Sequence, residues 1–190
     1  MILAAGASRR MGTNKLLLPV DGAPMVRVVV ERAQAAKCSP IVVVLGHEPE
    51  RLREALAGLE VAFAENPDFT GPTSGSLHAG LRALGTDVDA TVVLLADMVH
   101  VTAAMIGTLV EAARTDTAPL QVSRYGDVLA PPLLFRRALW PELLAWTGEG
   151  CGKSVVMAHR AEAGMHDWPQ AALQDVDTPA DYDAVRRTRP

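Results

Sequence analysis

The sequence is poor in aromatic residues, in cysteine and in surplus positive charge. Phe, Trp and Tyr make up 4% of the 190 residues, while Ala and Val are abundant, a balance that fits an α/β sandwich better than an all-β fold. The two cysteines, Cys38 and Cys151, are far apart and form no C-x-x-C. That pattern encodes neither a disulfide framework nor a zinc site, and two unpaired thiols are expected. His47, His78, His100, His159 and His166 lack a ligand spacing such as H-x-x-x-H, so they read as surface or loop residues. The formal net charge is −4, which argues against a general nucleic-acid binder; local basic groups stay compatible with a small anionic ligand. No stretch is both long and apolar enough to span a membrane. The apolar N-terminus is short, and Arg9 and Arg10 follow it rather than precede it, unlike a signal peptide. A cytoplasmic location is expected. Repeats, low-complexity tracts and linkers are missing too. With 49% hydrophobic residues, the chain has enough apolar material for one core, and a single domain over residues 1–190 is expected.

What is present is concentrated at the start, in MILAAGASRRMGTNK. A short apolar run stops at Gly6, small and basic residues follow, and an apolar run resumes at Leu16. This is the pattern of a strand edge opening into a loop that holds polyphosphate. Gly6 and Gly12 permit φ > 0 and close approach of a ligand, and successive backbone N–H groups in such a turn form an anion-binding nest. Arg10 supplies a planar fork for phosphate oxygens and Lys15 a point charge. An ordinary solvated turn is the competing interpretation. A dinucleotide fingerprint needs G-x-G-x-x-G, which Gly6 and Gly12 do not make. A P-loop needs Gly before the lysine and Ser or Thr after it, and Lys15 has neither.

Helical periodicity or charge patterning marks residues 24–36, 48–57, 76–84 and 105–114, with Thr102 as an N-cap for the last. Continuous apolar runs at 41–45 and 91–96 have the pattern of buried parallel strands, and 61–64 is a third short strand. The alternation predicts a three-layer α/β/α sandwich around a mainly parallel sheet. Ligands collect at the carboxyl ends of strands in such sheets, and Gly6, Gly46, Asn66 and Asp97 all fall at that edge. Beyond Asp97 the pattern is less regular. Residues 120–123 read as a strand, 128–135 as an irregular or edge segment because of Pro131 and Pro132, 136–146 and 153–159 as helices, 172–176 as a short strand, and 177–187 as an opening turn and last helix.

Asp97 ends a strand in LLADM. A carboxylate there, at the same edge as a phosphate loop, suits Mg²⁺, which takes one or two carboxylates with phosphates and water; a turn or capping aspartate is the alternative. TGEGCGKS, residues 147–154, is a near miss to a P-loop, with Thr147 where Gly is needed and a helical segment before it.

LAAGASRRMGTNK resembles the L-A-[AG]-G-x-S-x-R-[ML]-G-x-x-K signature of nucleoside-triphosphate transferases, matching at Leu3, Ala4, Ala5, Gly6, Ser8, Arg10, Met11, Gly12 and Lys15. The nearest group is the molybdenum cofactor nucleotidyltransferases, closest to the cytidylyltransferases, and later motifs in the same order extend the resemblance over nearly the whole chain. It implies a nucleotide-diphospho-sugar transferase-like fold, and transfer of NMP from an NTP to a molybdopterin-type acceptor with release of pyrophosphate. Mg²⁺ is the implied cofactor, and a molybdoenzyme or its chaperone a further partner. DVDTPADY is similar to the family's closing D-[IV]-[DN]-T-P-x-[DE]. By position it makes Asp177 the second metal ligand with Asp97, and leaves Asp175 the weaker candidate; Asp177 or Thr178 as a plain helix cap is compatible with both. Asn66 and the loop from Gly71 to Gly80, with Ser76 reaching the base or ribose, resemble the segment closing over the nucleoside. Leu3, Ala4, Ala5, Gly6, Ser8, Gly12, Lys15, Asn66 and Ser76 are thus nucleotide-binding candidates, with Arg10, Lys15 and Asp97 catalytic. Residues 149–153 are expected to line the side of the second substrate. Ala5 stands where guanylyl-transferring relatives often have Gly, so CTP is expected first and GTP second. The chain departs from the family at Val99, where a proline is usual, and at Ala130, Pro131 and Pro132, where relatives carry G-H-P. That departure keeps open a nucleotide-binding relative without transferase activity, a sensor or maturation partner. The first strand begins at Met1, and relatives carry a few more residues there, so a truncated or misassigned start is expected.

Overall fold

The apolar runs at 41–45 and 91–96 flank the short N-terminal run in space. In the computed structural model, which describes residues 1–8, 10–150 and 152–188, β1 (Ile2–Ala4) lies between them. The small hairpin β2 (Pro19–Val20) and β3 (Ala23–Pro24) stands apart. The main sheet continues with β4 (Val42–Leu45), β5 (Ala62–Glu65), β6 (Ala90–Leu95), β7 (Leu120–Tyr125), β8 (Val128–Arg136) and β9 (Gly164–Asp167). Its seven strands run in the order β5-β4-β1-β6-β8-β7-β9. β1 pairs parallel with β4 and β6, β4 with β5, and β7 with β9; β8 is antiparallel to both its neighbours.

Both sheet faces are buried because side chains alternate across a strand. Ile2, Val43, Leu45, Val92 and Leu94 pack on one face against α1 (Met25–Ala35), α2 (Pro49–Ala55) and α4 (Ala103–Thr115). Leu3, Val42, Val44 and Val93 pack on the other against α3 (Thr73–Ala83), α5 (Trp140–Ala145) and α6 (Lys153–Ala158). Each such buried aliphatic contributes about 1.5–3 kcal/mol. A third cluster, Val20, Met25, Val99, Val176 and Val185, ties the hairpin to α7 (Pro179–Thr188). Thr102 caps α4, its Oγ1 accepting from the Met105 N–H at 3.2 Å. The expected three-layer α/β/α sandwich is the observed one.

Several expectations for the second half are corrected. Residues 128–135 are an interior strand, not an irregular or edge segment. Pro131 and Pro132 are tolerated because the β7 pairing shifts register between Val122 and Arg124 and the β6 pairing begins only at Leu133. The missing N–H groups therefore fall where no ladder bond is needed. The stretch 136–146 is a strand end, a 3-10 turn at Arg137–Leu139 and only then α5. Residues 172–176 are not a strand: Gln170–Leu173 is a 3-10 turn, and Val176 is buried without pairing to any strand. β9 and the hairpin had no sequence forecast. Three histidines sit in or at elements rather than free on the surface. His78 of α3 bonds the Leu143 carbonyl at 2.9 Å, His166 of β9 bonds Gln121 Oε1 at 2.8 Å, and His159 caps α6 beside Glu142 at 2.9 Å. Arg9 and Cys151 lie outside the described residues.

Candidate active site

β1, β4, β5 and β6 end together, at Ala4, Leu45, Glu65 and Leu95. The loop after β1 turns through Ser8, at φ 49°, and Gly12, at φ 66°, so among the described residues the left-handed positions are these two and not Gly6. Gly6 instead faces open space, and a Cβ there would meet nothing within 4 Å. Gly46 is required for packing: a Cβ would come within 2.7 Å of the Ala5 carbonyl oxygen and 2.4 Å of Phe69 Cβ. The loop ends firmly. Ser8 Oγ accepts from the Lys15 N–H at 3.2 Å, Asn14 Oδ1 accepts from the Leu16 N–H at 3.2 Å, and Leu16 is buried.

These ends enclose a cleft of about 260 Å³. Of the residues expected from sequence, Leu3, Ala4, Ala5, Gly6, Lys15, Ser76 and Asp97 line it. Asn66 stands behind the wall: its Nδ2 donates to Ser76 Oγ at 3.0 Å, which leaves the hydroxyl proton free to donate into the cleft. Phe69, Gly71 and Thr73 complete that wall. Gly71 and Thr73 fall within the segment expected to close over the nucleoside, whereas Phe69 escapes sequence reasoning because a single Phe in a loop carries no spacing signal. The segment expected beside the second substrate docks at this rim. Glu149 accepts from the Thr73 N–H at 3.2 Å and from its hydroxyl, and Ser74 Oγ accepts from the Gly148 N–H at 3.1 Å.

At the charged end, one ammonium gathers the chain's two distant aspartates. Lys15 Nζ lies 2.7 Å from Asp97 Oδ2 and 2.7 Å from Asp177 Oδ1, and Arg10 donates to Asp177 Oδ2 at 2.9 Å. Local folding explains why Asp177 is available. Thr178 and Asp181 make a reciprocal cap at the start of α7: Asp181 Oδ2 accepts from the N–H groups of Asp177 and Thr178 and from the Thr178 hydroxyl, and Thr178 Oγ1 accepts from the Asp181 N–H. This is a capping box, and it uses Thr178 and Asp181, so the Asp177 carboxylate is left to project toward the loop. Burial lowers the Lys15 pKa, but the contacts with Asp97 and Asp177 outweigh it and the net shift is upward. The Lys15 hydrogen bond holds Asp177 below the ordinary carboxylate range. Burial, then the charges of Asp97 and Asp177, push Asp175 up to about 6.

No cluster of three or more metal-ligating side chains exists among the described residues. Two carboxylates converging on one cation fit Mg²⁺ nevertheless, since phosphate oxygens and water ordinarily complete its shell. The donor set is all oxygen, the choice for a hard cation.

Across the sheet, the β7 side chains that face the α4 side are polar. Tyr125 OH donates to the Pro131 carbonyl at 2.8 Å. Ser123 Oγ donates to the Pro132 carbonyl at 2.7 Å and accepts from Trp168 Nε1 at 2.9 Å. The Pro-Pro segment is thus a shelf with no N–H to offer and with both carbonyls tied down.

A phosphate-type loop, two carboxylates and a cleft at the strand ends of a mainly parallel sheet define a nucleotide-handling α/β protein. The family model of the MobA-like NTP transferase domain matches residues 1–163, and the chain belongs to that family, whose function is of nucleotidyltransferase type. A curated relative, the bifunctional protein GlmU of Cupriavidus pinatubonensis, is 43% identical over 117 residues, covering 60% of this chain and 25% of its own. The chain therefore spans about a quarter of the length of such relatives. The purine catabolism protein PucB of Bacillus subtilis is 29% identical over 202 residues, covering 98% of this chain and 95% of its own. Among solved structures, Rv0371c of Mycobacterium tuberculosis H37Rv superposes with a TM-score of 0.83 at 26% identity, covering 98% of this chain and 96% of its own. That protein is also known as a manganese complex. The fold is the nucleotide-diphospho-sugar transferase-like sandwich.

Proposed function

We propose that the protein transfers a nucleoside monophosphate from an NTP, CTP before GTP, to the phosphate of a molybdopterin-type acceptor and releases pyrophosphate. The observation that carries this is the convergence of Lys15, Asp97 and Asp177 at a cleft that Ala5, Phe69 and Ser76 also line. In the reaction an acceptor phosphate oxygen forms a bond to the α-phosphorus, and the bond from that phosphorus to the bridging oxygen breaks. The acceptor is already largely ionised near neutral pH, its second pKa being about 6, so no strong base is needed. The protein's task is to position two anions and to stabilise the charge that develops on the leaving pyrophosphate. Arg10 and Lys15 supply that charge. Ser76 donates to the nucleoside, and the Ala5 methyl narrows the base end, which favours a pyrimidine. Asp97 and Asp177 would hold Mg²⁺, which supplies Lewis-acid neutralisation of phosphate oxygens. The manganese complex of Rv0371c supports a divalent ion in this family.

A second reading rests on the Pro131–Pro132 shelf, whose backbone offers an acceptor no hydrogen-bond donor: a protein that binds NTP without transferring it. Pyrophosphate release from each of the four NTPs with Mg²⁺, with and without molybdopterin, separates the two. Release that requires molybdopterin and is fastest with CTP is expected. Nucleotide binding with no release under any condition overturns transfer and leaves the sensor.

A further inference from the structure

We infer that Lys15 is an exchangeable counter-ion. Its ammonium holds Asp97 and Asp177 together before loading and passes to the triphosphate when nucleotide arrives, so that the affinity for a divalent cation is set by whether nucleotide is bound. This rests on the reading of the cleft as a metal–NTP site and adds how that site is regulated.

The geometry makes the ammonium and a divalent cation competitors. Both contacts of Lys15 Nζ are 2.7 Å, so the two carboxylate oxygens are separated by no more than twice that distance. That is the scale on which two oxygens flank a single small cation. The remaining Asp177 oxygen is already taken by Arg10 at 2.9 Å. A divalent ion that binds both aspartates would lie against a like-charged ammonium, and one that binds Asp97 alone would lose half of the protein's ligands. Charge-assisted contacts of this length are the strong kind, so Lys15 does not yield them to an ion alone.

Lys15 is also largely withdrawn from water, although the Asp177 side chain beside it is 40% exposed. The Lys15 side chain is 12% exposed and that of Asp97 20%. A buried ammonium requires an anionic partner, and the triphosphate is the partner that the proposed reaction brings. The backbone need not move, because Lys15 N is fixed on Ser8 Oγ and Leu16 is anchored in the core. The swing is confined to the flexible four-carbon stem. Coupling of this form is reciprocal: nucleotide tightens metal and metal tightens nucleotide by the same factor.

The test is a Mn²⁺ titration followed by the electron paramagnetic resonance signal of free Mn²⁺, on the full chain, for wild type and Lys15→Met, with and without a non-hydrolysable CTP analogue. Without nucleotide, Lys15→Met should bind Mn²⁺ about 5–150-fold more tightly than wild type, the ordinary range of a coupling of this kind. The analogue should tighten Mn²⁺ on both proteins through its phosphate oxygens, but by a smaller factor on the variant, which has no ammonium to displace. If wild type tightens with the analogue but Lys15→Met shows no gain without it, the exchange is wrong and the metal–nucleotide site stands. If neither protein binds Mn²⁺ even with the analogue, the site assignment itself falls, and the exchange with it. Should Lys15→Met fail to fold, wild type answers the question. The chain has three lysines, Lys15, Lys37 and Lys153, so the ¹⁵N ammonium resonance of Lys15 can be followed directly. It should shift when Mg²⁺ and the analogue are added together and hold its place with Mg²⁺ alone. An unshifted resonance in the loaded protein overturns the exchange.

Discussion

The two halves of the sheet are built on different terms. β5, β4, β1 and β6 are all parallel and end in a row, and β4, β1 and β6 are buried on both faces. Their chemistry comes from loops at strand ends: the turn after Ala4, the Asn66–Ser76 pair, and Asp97. β8, β7 and β9 mix directions, carry two prolines and a register shift, and place their polar groups within the sheet, at Gln121, Ser123 and His166. The first half can accept an anion because its backbone ends are open. The second has its polar groups already satisfied by one another, which fixes a shape and leaves few of them for a ligand. Under the proposed reaction, nucleotide handling falls to the first half and acceptor selection to the second, and Asp177 reaches across to Lys15.

Substitutions sort by half. The largest effects belong to the parallel half. Asp97→Asn and Asp177→Asn should each lower metal-dependent kcat by about 10²–10³-fold, the scale of losing one preorganised charge contact. The double variant should be little worse than the more severe single one, because groups acting as a unit are not additive; additive losses would show that the two carboxylates work apart. Ala5→Gly should shift relative kcat/KM from CTP toward GTP by no more than about 10- to 200-fold, the reach of one methylene-sized change; an unchanged ratio removes Ala5 from base selection. In the mixed half, Tyr125→Phe leaves the Pro131 carbonyl without its donor and should cost about 1–3 kcal/mol of stability by urea denaturation. It should raise KM for the acceptor and leave KM for nucleotide unchanged; a changed nucleotide KM would break the division. The smallest effect is at His166. Burial holds its pKa below the ordinary value, with Asp116 and Asp167 opposing. The unfolded chain therefore binds more protons between that lowered value and about 6.5, and stability falls as pH drops through that window. His166→Gln should flatten the fall in urea midpoint between about pH 7.5 and 5.5, and an identical slope would mean that His166 does not carry it.

The same division explains what the residues revealed in advance. Runs such as VVVL and ATVVLL, apolar on both faces, announce parallel interior strands. The phosphate-type loop is contiguous, so its residues could be named one by one. β9 reads GMHD and pairs along one side only, with His166 turned onto Gln121, and has no apolar alternation to betray it. Val176 is fully buried and invites a strand, yet it packs into the hairpin cluster from an unpaired segment. The prolines of β8 suggested an edge because the register shift that shelters them is a property of pairing, not of composition. In the site, Asp177 was found by its motif, but Thr178 and Asp181 sharing the cap, which frees it, shows only in three dimensions. Phe69 reaches the cleft through loop geometry alone, and Thr73 from the first turn of α3.

The most direct test of a nucleotide site spanning both ends of the chain is a crystal structure with Mn²⁺ and a non-hydrolysable CTP analogue, using the anomalous signal of manganese. The expected result is one manganese peak bonded by Asp97 and Asp177, with the triphosphate along Gly6 to Lys15 and the base between Ala5 and Phe69. A manganese peak that touches neither aspartate, or a nucleotide lodged outside this cleft, would contradict it.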